Sequence, residues 1–217
     1  MKSDNILIVT GGSIDEELLM NTVDSFNRDV YIIGVDKGLE TLDKLEIKPD
    51  LVIGDFDSAN DSIRAKYVDS PDAVILNPEK DYTDTHVAVL EALKHNPVAI
   101  TIMGAIGTRI DHMLGNIALL KICLMHDVDA VMLDKHNRIR MIDKHMILRR
   151  DELYGKYISC IPFSDRVTGI NLRGFKYELT DATMIKEETI GISNELGEEE
   201  GHISIGSGYL LVMETKD

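Results

Sequence analysis

From Asn5 to Asp134 the apolar positions come in short compact runs separated by longer stretches of helical spacing. Residues 6–9, 31–35, 51–53, 73–76, 99–103 and 130–133 are β-rich runs of the length that buried strands have. Between them, residues 16–26, 38–45, 61–67, 85–93 and 112–125 place apolar side chains three or four apart, which predicts amphipathic helices. Strand, Gly or Asp cluster, helix, strand: this cycle predicts an α/β unit with a mostly parallel sheet flanked by helices. After about His136 the pattern shortens to extended runs at 138–142, 157–161 and 203–213, broken by Gly, Asn, Asp and Pro, which predicts a small all-β sandwich or barrel. The expected division is therefore residues 1–135 and 136–217, marked by a change of pattern rather than by a linker. The acidic run at 195–200 reads as a solvated loop tip.

Composition narrows the function classes. Hydrophobic residues at 44% and charged residues at 28% suit a globular chain with a sizeable core. Its 38 acidic against 23 basic residues, a net charge of -15, repel a phosphate backbone, and no basic patch interleaved with aromatics occurs, so nucleic acid is not an expected partner. Cys123 and Cys160 lie in apolar segments without CxxC spacing, which predicts buried free thiols rather than zinc or a disulfide. The apolar start is too short for a signal peptide, and no segment reaches the roughly 20 apolar residues of a membrane span. A cytoplasmic protein is the expectation.

Chemistry collects just after the strand candidates, where parallel α/β sheets bind ligands. Asp55 and Asp57 follow the third run two residues apart, so in extended chain both carboxylates point the same way, and a hard cation such as magnesium relieves their repulsion. Asp81 and Asp84 follow the fourth run at a strand-to-helix junction, with Lys80 within reach of a phosphate. At that junction Thr83 or Asp84 serves equally well as a helix cap. After the fifth run come Gly104 and Gly107, then Arg109, whose fork suits phosphate oxygens, Asp111 and His112. Arg109 and Asp111 could equally pair with one another, and His112 reads as a polar residue at a helix start. Thr10, Gly11 and Gly12 after the first run are a commonplace turn, and the same holds for Asp36, Lys37 and Gly38 after the second. No GxxxxGK[ST] sequence is present, so side chains and metal ions, not a Walker loop, hold any nucleotide phosphates. No nucleophile is visible, which favours direct transfer between bound substrates.

Gly54-Asp55-Phe56-Asp57-Ser58, Asp81-Tyr82-Thr83-Asp84 and Arg109-Ile110-Asp111-His112, in this order, resemble the acidic motifs of the thiamine pyrophosphokinase family. The segment 34–38 is similar to the nucleotide-side turn of its bacterial members, and 191–196 to its substrate-side motif. The resemblance implies an N-terminal α/β catalytic domain, a C-terminal β-sandwich that binds thiamine and dimerises, and a homodimer with active sites between subunits. It implies the reaction of ATP with thiamine to give thiamine diphosphate and AMP, dependent on magnesium. By position, Asp55, Asp57, Asp81 and Asp84 form the metal and phosphate group, with Asp55, Asp57, Asp84, Arg109 and Asp111 as catalytic candidates. Asp36, Lys37, Lys80, Thr83, Arg109, Asp111, His112 and Asn116 fall to ATP, and Asp84, Ser193 and Asn194 to thiamine. The chain has no Trp, so a tyrosine or an aliphatic residue has to serve as the face for the thiamine rings. A related pyrophosphokinase acting on another primary alcohol, such as a hydroxymethylpterin, is the close rival. A metal-dependent sugar-nucleotide transferase and a binding-only regulator are more distant ones.

Overall fold

In the computed structural model, which describes residues 4–27, 29–54, 66–67, 73–75 and 81–217, the apolar runs of the first part become parallel strands. They are β1 (Asn5–Val9), β2 (Tyr31–Val35), β3 (Leu51–Gly54), β4 (Ala73–Ile75), β5 (Ala99–Met103) and β6 (Asp129–Leu133), standing in the order β4-β3-β2-β1-β5-β6. Central β1 shows why the runs are continuous rather than alternating. Ile6, Leu7, Ile8 and Val9 are all at most 1% exposed, as in a parallel sheet covered on both faces. The α-helices whose full extent lies among the described residues are α1 (Glu16–Ser25), α2 (Gly38–Lys44), α3 (Asp84–Lys94) and α4 (Ile110–Met125). Asp15 caps α1 by accepting from the Leu18 N–H at 2.9 Å, and Thr83 caps α3 by accepting from the His86 N–H at 3.2 Å. The expected helix at 61–67 lies almost wholly outside the described residues, as does Leu76 of the fourth strand run.

The strand order contains the feature that matters for function. From β1 the chain steps outward through β2 and β3 to β4, then returns to lay β5 on the other side of β1. Connections leaving β1 and β5 therefore diverge, and a crevice opens at the carboxyl ends of these two strands. The register brings Val9 of β1 beside Met103 of β5, so the loops starting at Thr10 and Gly104 leave the sheet together.

The chain divides into two compact units, Met1–Lys135 and His136–Asp217. In the second, β7 (Asn137–Ile142), β13 (Leu210–Thr215) and β9 (Tyr157–Pro162) pair antiparallel in the order β7-β13-β9. A second antiparallel sheet has the order β11-β10-β12-β8, formed by β11 (Leu179–Ile185), β10 (Arg166–Arg173), β12 (Glu200–Ser204) and β8 (His145–Arg149). Ile158, Cys160 and Val212 from one sheet pack with Val167, Ile170 and Ile203 from the other, the core of a sandwich. Both cysteines are free and buried, and burial pushes each thiol up to about 12.

The run 203–213 is interrupted at its glycines as read: it splits between Ser204 and Leu210, where Gly208 takes φ +98° and a Cβ would sit 2.7 Å from the Arg166 carbonyl oxygen. One local expectation needs correction. The stretch 195–200 is not simply a solvated tip. Leu196 is 7% exposed in the sandwich core, Glu195 pairs with both Lys156 and Lys176, and Glu200 opens β12 opposite Arg149; the charge count of the run hid the buried leucine. Among the described residues no helix is long and apolar enough to cross a membrane.

Candidate active site

At the crevice between β1 and β5 lies a cleft of about 480 Å3. Its floor is backbone. The Gly12 N–H donates to the Gly104 carbonyl at 2.8 Å, and a Cβ on Gly12 would stand 2.2 Å from that oxygen. Gly104 itself has φ +73°, and its Cβ would meet the Thr10 carbonyl oxygen at 2.1 Å. Only glycine on both loops permits this approach. Two side-chain bonds fix the helices against the floor. The Thr10 and Thr85 hydroxyls, both buried, are 2.9 Å apart and tie the start of α3 to the end of β1. Asn116 of α4, 7% exposed, donates its Nδ2 to the Ala105 carbonyl at 2.9 Å.

The cleft's walls are thus the first turns of two helices, with Thr83, Asp84 and Thr85 from α3 and Arg109 and His112 from α4. Helix N-termini carry partial positive charge and free N–H groups, so this geometry suits an anion. Lys37 adds a cation at the rim beside Asp36, which holds a left-handed φ of +47° at the tight exit from β2. Gly54 lets that turn close, since a Cβ there would be 2.6 Å from Asp36 Oδ1.

A second cleft of about 310 Å3 shares Thr83, His112 and Asn116 with the first. Asp81, Tyr82, His86 and Asp111 line it. Arg109 grips Asp111 with two bonds, Nε to Oδ1 at 3.2 Å and Nη2 to Oδ2 at 2.6 Å. This pair is exposed, yet the guanidinium holds the Asp111 carboxyl down at about 2 and is itself pushed up by the carboxylate. The Tyr82 and His86 rings lie 4.4 Å apart at 46°, and burial lowers the His86 imidazole below its ordinary value.

Of the residues singled out in the sequence, the structure brings Asp36, Lys37, Thr83, Asp84, Arg109, His112 and Asn116 to the first cleft, and Asp81 and Asp111 to the second. Asp55, Asp57 and Lys80 lie outside the described residues. The alternatives left open for Thr83 and for the Arg109–Asp111 pair both exist as geometry: Thr83 is the cap, and the pair is formed. Thr10, Gly11, Gly12 and Thr85 were missed as site residues although they line the first cleft. Their signal was the glycine turn after the first strand, discounted because nothing in a linear sequence says which strand lies next to which.

Whether the site suits a metal is a question of donor chemistry. Among the described residues no group of three or more His, Cys, Asp or Glu is placed to hold an ion by itself. Asp36 and Asp84 do offer carboxylates to one cleft built for an anion. Few carboxylates completed by phosphate oxygens and water is how magnesium binds, so these residues fit that ion.

In the second unit, Asn194 is 6% exposed and works as a clasp. Its Oδ1 accepts from the Tyr177 and Glu195 N–H groups at 3.0 and 2.9 Å, and its Nδ2 donates to the Tyr177 carbonyl at 2.7 Å. Next to it Ser193 takes φ +58°, donates its N–H to Ser159 Oγ at 3.0 Å and stays exposed.

Two family models match this chain: the thiamin pyrophosphokinase catalytic domain over residues 23–132, and the thiamin pyrophosphokinase vitamin B1 binding domain over residues 144–210. The sequence is 36% identical over 219 residues to thiamine pyrophosphokinase of Bacillus subtilis, with 100% of both chains covered. The crystal structure of thiamine pyrophosphokinase from Bacillus subtilis is similar with a TM-score of 0.87, covering 98% of this chain and 99% of that one. A thiamin pyrophosphokinase structure from Geobacillus thermodenitrificans is similar with a TM-score of 0.84 at 30% identity, covering 98% of each chain.

Proposed function

This chain belongs to the thiamin pyrophosphokinase family, and from that premise we propose that it moves diphosphate from ATP to the hydroxyl of thiamine, releasing AMP. The observation that carries the reading is the cleft at the β1/β5 crevice. It joins two glycine loops, two helix N-termini and the Asp84 carboxylate in one place. ATP phosphates lie against the backbone of Gly11, Gly12 and the loop from Gly104, with Lys37 and Arg109 offsetting their charge. The thiamine oxygen bonds to the β-phosphorus, the bond from that phosphorus to the oxygen bridging the α-phosphate breaks, and AMP leaves with the bridging oxygen. Asp84 or Asp57 accepts the hydroxyl proton. Asp84 and Asp81, with Asp55 and Asp57, would hold magnesium, which would supply neutralisation of the phosphate charge. Positioning and electrostatics then supply most of the rate.

In the second unit, Ser193 offers the thiamine contact and Asn194 holds the turn that presents it. The reading extends to a homodimer with active sites between subunits, and to a cytoplasmic enzyme, which free buried cysteines suit. Incubation with ATP, magnesium and thiamine tests it: AMP and thiamine diphosphate are expected to appear together. ADP in place of AMP refutes diphosphate transfer. Product from a hydroxymethylpterin but not from thiamine moves the chain to the rival alcohol. Sedimentation at twice the chain mass of 24.3 kDa is the result expected for the dimer.

A further inference from the structure

Helix α3 buries Thr85, Ala88, Val89 and Ala92, a spacing that puts all four on one face. Burial of the two alanines and the valine is non-directional. Valine at position 85 would continue that face with nearly the shape of threonine and without a hydroxyl to bury. The chain instead has a hydroxyl there and meets it with a second buried one, that of Thr10, at 2.9 Å. Such a pair adds little net stability once the burial of both hydroxyls is counted, but it has a preferred length and direction.

Both ends of this bond are informative. On the strand side, the Thr10 N–H donates to the Met103 carbonyl at 2.9 Å, and the Thr10 carbonyl stands 2.1 Å from where a Cβ on Gly104 would be. Thr10 is thus fixed between β1 and the loop that leaves β5. On the helix side, Thr85 directly follows Asp84 in the first turn of α3, and Thr10, Asp84 and Thr85 all line the first cleft. The Thr83 cap accepts from the His86 N–H of its own helix, so it shapes the turn without tying it to the sheet. The Thr10–Thr85 bond carries the position of the sheet to that turn.

Resting on the pyrophosphokinase reading and the place of Asp84 in it, we infer that Thr85 is a positioning residue for diphosphate transfer. Its hydroxyl, held by Thr10, sets where the Asp84 carboxylate stands over the glycine floor. A displacement of about 1 Å at a reacting group is enough to cost about 100-fold in rate.

Steady-state kinetics and thermal melting test this on the wild type, Thr85→Val, Thr85→Ser, Thr10→Val, the double variant Thr10→Val/Thr85→Val, and Val89→Ala. Thr85→Val keeps the shape and removes the bond. Its kcat falls about tenfold or more while the KM values for ATP and thiamine stay within about threefold, the pattern of a contact that matters in the transition state. Thr85→Ser keeps the hydroxyl and returns kcat to within about threefold of wild type. Thr10→Val breaks the same bond from the strand side and lowers kcat by the same factor, which decides the matter if Thr85→Val does not fold. The double variant loses no more than either single one, because all three remove one bond. Val89→Ala loosens the same helix face by a cavity, and it melts at least as far below wild type as Thr85→Val yet keeps kcat within about twofold. Values of kcat within about twofold of wild type in both Thr85→Val and Thr10→Val overturn the inference. So does a Val89→Ala variant that loses kcat as Thr85→Val does, because any loosening of α3 then suffices. A wild type that forms no thiamine diphosphate fails the underlying reading and the inference with it. An active wild type whose Asp84→Asn variant is inactive, while both threonine variants are indifferent, fails the inference alone.

Discussion

Asp111 is held acidic first by Arg109, two residues away, and next by the His112 backbone N–H. Its folded value of about 2 lies below the ordinary 3.8, so the pairing adds stability above that ordinary value and loses it as pH falls toward 2. Both side chains are in water, so salt screens the effect. Arg109→Ala is expected to return the Asp111 carboxyl toward 3.8, followed by NMR titration, and high salt to do part of the same. Asp84 carries a different expectation, because it faces the anion cleft from the first turn of α3. Asp84→Asn keeps the shape and removes the charge, and is expected to lower kcat by about 100-fold or more with the melting temperature unchanged. Near-normal turnover of that variant would remove Asp84 from the reaction.

The helix α3 shows how one element serves fold and site together. Thr83 caps it, Thr85 anchors it to Thr10, and Asp84 between them faces the cleft. Thr83→Ala is expected to cost about 1 kcal/mol, which for a chain of this size lowers the melting temperature by about 2–4 °C in a thermal scan. Elements of this kind were largely legible beforehand. The runs at 31–35 and 99–103 coincide with β2 and β5, because parallel strands buried on both faces leave continuous apolar runs bounded by Gly and Asp. The start of α4 was expected two residues late, since Arg109 at its cap position has no side-chain acceptor for the first N–H groups of the helix and so leaves no cap signal in the sequence. Gly12 was read as part of an ordinary turn, and Gly104 as one of two glycines opening the cluster of Arg109, Asp111 and His112, with no link between the two loops. Their role depends on contact across many residues, and periodicity carries no information about which loops meet.

At the scale of the whole chain, each unit has its own core, and the second contains an ionic knot that sequence did not reveal. Glu214 on β13 is 1% exposed and accepts from Arg138 Nε at 2.7 Å, from Arg140 Nη1 at 3.3 Å and from the Tyr154 N–H at 3.0 Å. Glu214→Ala removes the buried carboxylate shared by Arg138 and Arg140 and is expected to cost about 3 kcal/mol, read as a lowered unfolding midpoint in urea. The motifs in the sequence pointed to the chemistry, but strand order alone explains why residues as distant as Thr10, Asp84 and Arg109 share one cleft. Transfer of an intact diphosphate is what that cleft is proposed to do, and turnover of ATP labelled at the γ-phosphorus, with thiamine and magnesium, measures it most directly. The expected result is one AMP for each thiamine diphosphate formed, with the γ label in the thiamine product. Label recovered in inorganic phosphate, or ADP formed with thiamine monophosphate, would contradict it.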